Sequence, residues 1–191
     1  CHQAYNLTFY DGTKVSQDIE TPWGFIKLGA ESIPIIIKRG VLVDVAGYIK
    51  DPLPEHYEIS LNDFLNTIKN ENIEINKDDI VLVRTGYGKY WYDPEKYINA
   101  AGISKDVSLW LRDRKVFAVG IDNLSWDLLN ERAIDLPGHL YLIALSGIYI
   151  IENLYLEELA KDKVYEFVFI ALPLKIKGAT GAPMRPIAIK C

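Results

Sequence analysis

Sulphur and imidazole are scarce in this chain. Two cysteines, Cys1 and Cys191, stand at opposite ends of 191 residues. That excludes a disulfide framework, leaves at most one terminal clasp, and makes a reducing, cytoplasmic setting the expectation. Basic charge is not in surplus either: 21 Lys and Arg against 26 Asp and Glu give a net charge of −5. With no Lys/Arg stripe along any helix, nucleic acid is not an expected partner. The longest strongly apolar run, Leu140 to Ile151, holds 12 residues and is broken by Ser146 and Gly147. A spanning helix needs about 20, so no membrane span is expected. Nine prolines and 13 glycines are too few for collagen or low complexity.

Several catalytic signatures are missing as well. The chain has no Gly-x-Ser-x-Gly elbow, no Gly-x-x-x-x-Gly-Lys phosphate loop, no Cys-x-x-Cys pair and no His-Glu-x-x-His helix. What the chain does have is a hydrophobic fraction of 49%. A chain of this size and composition folds as one domain, residues 1–191, burying roughly 70% of its unfolded surface. It opens abruptly on Cys1-His2 with no methionine or signal pattern, which reads as an upstream segment missing from the domain.

Hydrophobic patterning alternates strand-like and helix-like stretches. IPIIIKRGVLVDVAGY (Ile33 to Tyr48) holds two β-branched runs and predicts two buried strands around Lys38-Arg39-Gly40. Ser60 with Asp63 three residues later, followed by Phe64, Leu65 and Ile68 at helical spacing, predicts a capped helix ending near Asn70. Ile80 to Thr85 predicts a strand, followed by an exposed aromatic loop from Tyr87 to Tyr97. A helix from Ser104 to Arg114 precedes a strand from Val116 to Ile121. His139 to Ser146 suits two helical turns ending at Gly147, with Ile148 to Ile151 returning as a strand. Then come a helical turn at Leu156 to Ala160, a long strand from Val164 to Ile176 bent at Pro173, and an edge strand at Pro186 to Lys190.

Three histidines occur: His2, His56 and His139. His56 lies in a polar loop between prolines and reads as solvated. His139 begins an apolar segment in which Glu152 is the next residue charged at neutral pH. A buried carboxylate has to be paired, hydrogen-bonded or bound to a cation. On one continuous helix their 13-residue offset would place the two side chains about 220° apart, so they converge only if the backbone reverses near Gly147. Two readings stand: a core histidine and a glutamate paired with an arginine, or two donors to a divalent metal such as zinc or manganese.

Several stretches resemble the metal-dependent hydrolases of the cyclase family, which includes bacterial kynurenine formamidase and isatin hydrolase. They are RGVLVDVA (Arg39 to Ala46), DDIVLVRTGY (Asp78 to Tyr87), VFAVGIDNLSWD (Val116 to Asp127), the His139 segment leading to GIYIIENL (Gly147 to Leu154), and PLKIKGATGAPMRPIAI (Pro173 to Ile189). The resemblance implies an α/β fold, a β/β/α arrangement of swivelling-domain type around a mixed central sheet, commonly as a homodimer or homotetramer. It implies that His139 and Glu152 bind a divalent metal, zinc or manganese. Cys1-His2 is similar to the tail of the family's His-x-Gly-Thr-His-x-Asp-x-x-x-His motif, which makes His2 the catalytic acid/base and leaves the other ligands of that motif upstream. The implied activity is hydrolysis of an amide or lactam bond in a small aromatic substrate, with Tyr87 and Trp91 as candidate pocket walls. The competing expectation is a noncatalytic ligand-binding or subunit-interface protein on the same scaffold. Asp122, at a strand end, suits a capping role as well as a catalytic one.

Overall fold

The structure, a computed structural model, describes residues 4–6, 8–129 and 136–190. At its centre is a six-stranded mixed sheet made of β1 (Ile36–Val43), β2 (Ile80–Val83), β3 (Ala118–Ile121), β4 (Tyr149–Ile151), β5 (Glu166–Ala171) and β6 (Ile187–Ile189). Their spatial order is β4-β3-β2-β1-β5-β6. The first four are parallel, while β5 runs antiparallel to β1 and β6 antiparallel to β5. Wholly apolar sequences such as IVLV and AVGI form β2 and β3 because both of their faces are covered.

Alternate residues of the strands feed two cores. Val41, Val43, Val81, Val83, Val119 and Ile121 face the helices α1 (Val45–Ile49), α2 (Leu61–Glu71) and α4 (Lys105–Asp113), meeting Phe64, Val107 and Leu111. Leu42, Ile80, Leu82 and Ala118 point the other way, against Leu154, Leu156, Phe167 and Phe169. Removing a side chain such as Phe64, wholly buried, from water contributes about 2 kcal/mol. The start of α2 follows its sequence signal: Ser60 Oγ accepts from the Asp63 N–H and the Asp63 carboxylate from the Ser60 N–H, both at 3.1 Å.

Three local expectations are corrected. The Ile33–Tyr48 stretch forms one strand and a helix in place of two strands. The Asp44 carboxylate accepts from the Gly47 N–H at 2.9 Å and caps α1, so an acid inside an apolar run marks a helix start here. The strand expected to reach Ile176 stops at Ala171, since Pro173 offers no N–H to a ladder and the chain leaves the sheet before it. The loop after β2 contains a short helix, α3 (Pro94–Ile98), with Pro94 in its first turn and the Asp93 carboxylate capping Lys96 N–H.

Short hairpins from the N-terminal part of the chain, Ala4–Tyr5 with Thr8–Phe9 and Glu20–Thr21 with Gly24–Phe25, lie outside the central sheet. The second is tied to the loop after β5: Phe25 N–H donates to Gly178 O at 2.9 Å and Ala30 N–H to Ala179 O at 2.8 Å. A last helix, α5 (Glu157–Lys161), follows β4.

Candidate active site

The carboxyl ends of the four parallel strands each deliver a charged residue at the next position: Asp44, Arg84, Asp122 and Glu152. This edge is where open α/β sheets place their ligands. Three of the four are committed to the scaffold. Arg84, almost fully buried, pairs with Asp44 at 2.8 Å and with Asp51 and Glu157 at 2.6 Å each. Burial opposes its charge, but those three carboxylates outweigh it and hold the guanidinium above its ordinary value. Asp122 is wholly buried and accepts from Thr85 N–H at 2.8 Å, Thr85 Oγ1 at 2.7 Å and Gly86 N–H at 2.9 Å. Burial raises its pKa and those donors work against the rise. Its geometry is that of a cap on the turn after β2.

Glu152 is placed differently. Its Oε1 accepts from the Trp126 N–H at 2.9 Å and lies 3.5 Å from Nε2 of His139. Burial raises its pKa, partly offset by the Trp126 N–H and by His139. The backbone reversal is present as well. His139 to Ala144 form a single π-helical turn, and Gly147 takes φ of 67°, turning the chain into β4. A side chain at Gly147 would also lie 2.7 Å from the Tyr10 ring, so glycine is required twice over.

Asp127 completes the arrangement. One oxygen accepts from Gly138 N–H at 2.6 Å; the other accepts from His139 N–H at 3.0 Å and lies 2.7 Å from His139 Nδ1. The approach is close because residue 138 is glycine: a Cβ there would collide with the Trp126 ring and sit 2.8 Å from Asp127 Oδ1. Trp126 is itself fixed, wholly buried with Nε1–H donating to Ser108 Oγ at 2.9 Å. Asp127 closes the VFAVGIDNLSWD stretch, and its sequence context alone gives it no role. The signal that points to it is chemical: a metal-ligating histidine hands its second nitrogen to a carboxylate or carbonyl, which calls for an acid beside His139.

A proton on Nδ1 directed at Asp127 presents the Nε2 lone pair to Glu152. At 3.5 Å that contact is too long for a good hydrogen bond. It matches the separation of about 3.4 Å that two donors have when each lies about 2.1 Å from one tetrahedral ion. The pair therefore fits a cation in both kind and spacing. It supplies two donors where a catalytic centre uses three, and among the described residues no three His, Cys, Asp or Glu side chains are placed to hold one metal ion.

His139 and Glu152 border a cavity of about 830 Å³, within the usual range for small-molecule sites. Its walls come from Phe9, Phe25, Ile36, Tyr149 and Met184 among others. The two aromatic residues expected as pocket walls lie elsewhere. Tyr87 is buried, edge-on to Tyr90 with ring centroids 5.8 Å apart, and Trp91 stands half-exposed against Tyr97; neither borders the cavity. His2 lies outside the described residues, and His56 is exposed in its loop.

A mixed α/β scaffold with a histidine–carboxylate pair at the carboxyl edge of its parallel strands is the class that fold and site define. The family model described as putative cyclase matches residues 9–128, and the chain belongs to that family. Kynurenine formamidase of Bacillus cereus (strain ATCC 10987 / NRS 248) is 30% identical over 118 residues, 61% of this chain and 52% of that protein. The chain thus spans about half the length of this curated relative. A solved structure described as a novel cyclase superposes with a TM-score of 0.86 at 32% identity, covering 98% of this chain and 65% of the other. Isatin hydrolase A from Labrenzia aggregata, solved bound to benzyl benzoate, superposes with a TM-score of 0.69 at 24% identity, covering 90% of this chain and 67% of that one, and shows the shared fold. Among the described residues no helix is long and apolar enough to cross a membrane.

Proposed function

We propose that the chain is the core of a metal-dependent hydrolase that opens an amide or lactam bond of a small aromatic substrate. The observation that carries this reading is the 3.5 Å approach of His139 Nε2 to Glu152 Oε1 at the wall of an apolar cavity. The family, and the kynurenine formamidase and isatin hydrolase names of proteins it is similar to, support the reaction class. Zinc, or else manganese, is the cation that imidazole and carboxylate suit.

His139 and Glu152 would hold the cation, with the remaining ligands drawn from outside the described residues. When bound there, such an ion would polarise a carbonyl and lower the pKa of a bound water towards about 7. Asp127 keeps the imidazole in one tautomer and one orientation. Trp126 N–H fixes one Glu152 oxygen, so the carboxylate cannot swing away from the imidazole. The apolar walls take the aromatic body of the substrate and exclude bulk water from the reacting end. His2 is assigned the proton transfer to the leaving nitrogen; His2→Ala should lower turnover by about 10² to 10⁴ with metal content unchanged. Association as a homodimer or homotetramer and a cytoplasmic location belong to the same proposal.

The test is hydrolysis of N-formylkynurenine and of isatin by the protein with and without a chelator, alongside elemental analysis. Chelator-sensitive turnover with a bound divalent ion is the expected result. Absence of both would favour the binding-module reading, which the two-donor count among the described residues supports.

A further inference from the structure

From the aromatic stretch between Tyr87 and Tyr97, one side chain reaches the segment that carries Glu152. Tyr97, in α3, is only 7% exposed, and the Trp91 ring stands edge-on to it with centroids 5.6 Å apart. Its hydroxyl donates to Asn153 Oδ1 at 2.9 Å, across 56 positions of sequence. Asn153 directly follows Glu152 and takes φ of 61°, a left-handed conformation that asparagine adopts more readily than most residues but still at a cost.

The left-handed turn folds the chain back onto the end of β3. Asn153 N–H donates to Asn123 O at 2.8 Å and Leu154 N–H to Ile121 O at 3.1 Å. Three positions beyond Asn123, Trp126 N–H donates to Glu152 Oε1 at 2.9 Å. The loop after β3 therefore holds both the Glu152 carboxylate and the backbone of the residue that follows it. Asn153 itself is exposed, and the buried Tyr97 ties its side chain to the body of the protein. Burial raises the pKa of the Tyr97 phenol, and the charges of Asp122 and Glu152 add to the rise, so the hydroxyl stays a donor at neutral pH.

We infer that Tyr97 is a positioning residue for Glu152: its bond to Asn153 holds the left-handed turn that keeps the carboxylate facing His139. Tyr97 does not border the cavity, so it acts through Asn153 and not on a substrate. The inference rests on the proposed cation pair and adds a residue to it.

The test is amide hydrogen exchange on the metal-free full chain, followed by zinc titration. Tyr97→Phe keeps the ring against Trp91 and loses the hydroxyl alone. Asn153→Gly removes the acceptor yet takes φ of 61° without strain. Tyr87→Phe, at a buried tyrosine of the same stretch, is the control. In both Tyr97→Phe and Asn153→Gly, Trp126 N–H should exchange at least threefold faster than in the parent while Val81 and Val83 N–H in β2 keep their rates, and zinc affinity should fall at least threefold. The double variant should be no worse than the more affected single one, because both changes break the same bond. Tyr87→Phe should alter neither readout.

Unchanged Trp126 exchange, a rise shared equally by Val81 and Val83, undiminished zinc affinity in Tyr97→Phe, or additive losses in the double variant would overturn the inference. Selectively faster Trp126 exchange in a protein whose parent form binds no zinc would count against the cation pair and leave the positioning of Glu152 by Tyr97 standing.

Discussion

Asp127 Oδ2 lies 2.7 Å from Nδ1 of His139, on the opposite side of the imidazole from Glu152, whose Oε1 lies 3.5 Å from Nε2. One ring is thus held between two carboxylates with different work. The Asp127 contact is short enough to fix a tautomer, and the Glu152 contact is long enough to admit an ion. Asp127 also accepts the backbone N–H groups of Gly138 and His139. The same residue therefore orients the side chain and anchors the backbone that carries it.

Asp127→Asn should weaken divalent-metal binding about 10- to 100-fold, the usual cost of losing a carboxylate behind a ligating histidine. It should also lower stability by about 1–3 kcal/mol, since an amide cannot accept on both of its ends. Zinc titration followed calorimetrically and urea denaturation read the two effects separately. A histidine nitrogen NMR spectrum should show the tautomer change. Unchanged tautomer and affinity would remove the positioning role.

Gly147→Ala forces a side chain into the left-handed region at φ of 67°, and its Cβ would press on the Tyr10 ring. The expected loss is about 1–3 kcal/mol. Because the turn at residue 147 brings Glu152 back to His139, metal affinity should fall with it. The control Gly181→Ala, at a glycine with open space around it, should do neither.

Glu71 gives the stability of the protein a pH dependence away from the site. It is partly buried beside Asp44, whose N–H donates to its Oε1 at 3.1 Å. Burial, with the like charge of Asp44 added, pushes its pKa up to about 8 from the ordinary 4.5. A carboxyl raised in this way favours the fold fully below its unfolded value and progressively less as pH climbs through the folded one. Folding free energy should therefore decline between about pH 5 and pH 8. Glu71→Gln, which keeps an oxygen for the Asp44 N–H, should flatten that decline and gain about 2 kcal/mol at pH 8, less than full linkage because the group is only partly buried. Urea midpoints across the pH range check this, and parallel curves for the two proteins would refute it.

Local signals were legible where a single element explains them. The Ser60–Asp63 cap, the all-apolar β2 and β3, and the turn at Gly147 depend on residues close in sequence, and the structure follows them. Asp44 misled because an acid after VLV reads as a strand interruption until its helix is seen to begin there. The site was half legible. His139 and Glu152 stood out as ionisable residues in apolar surroundings, whereas Asp127 lay in a stretch rich in ordinary turn residues. The cavity walls were not legible at all. Phe9, Phe25 and Met184 come from hairpins and a loop that meet only in three dimensions, while the Tyr87–Trp91 cluster, conspicuous in the sequence, spends itself on local packing.

The central claim is that His139 and Glu152 hold one cation between them. Zinc binding, measured by calorimetric titration and elemental analysis on the parent chain, on His139→Ala and on Glu152→Gln, tests it most directly. Glu152→Gln retains an acceptor for the Trp126 N–H, so it should fold normally. The account predicts a divalent-ion site in the parent chain that each substitution weakens at least tenfold. Equal zinc affinity in all three proteins would contradict it.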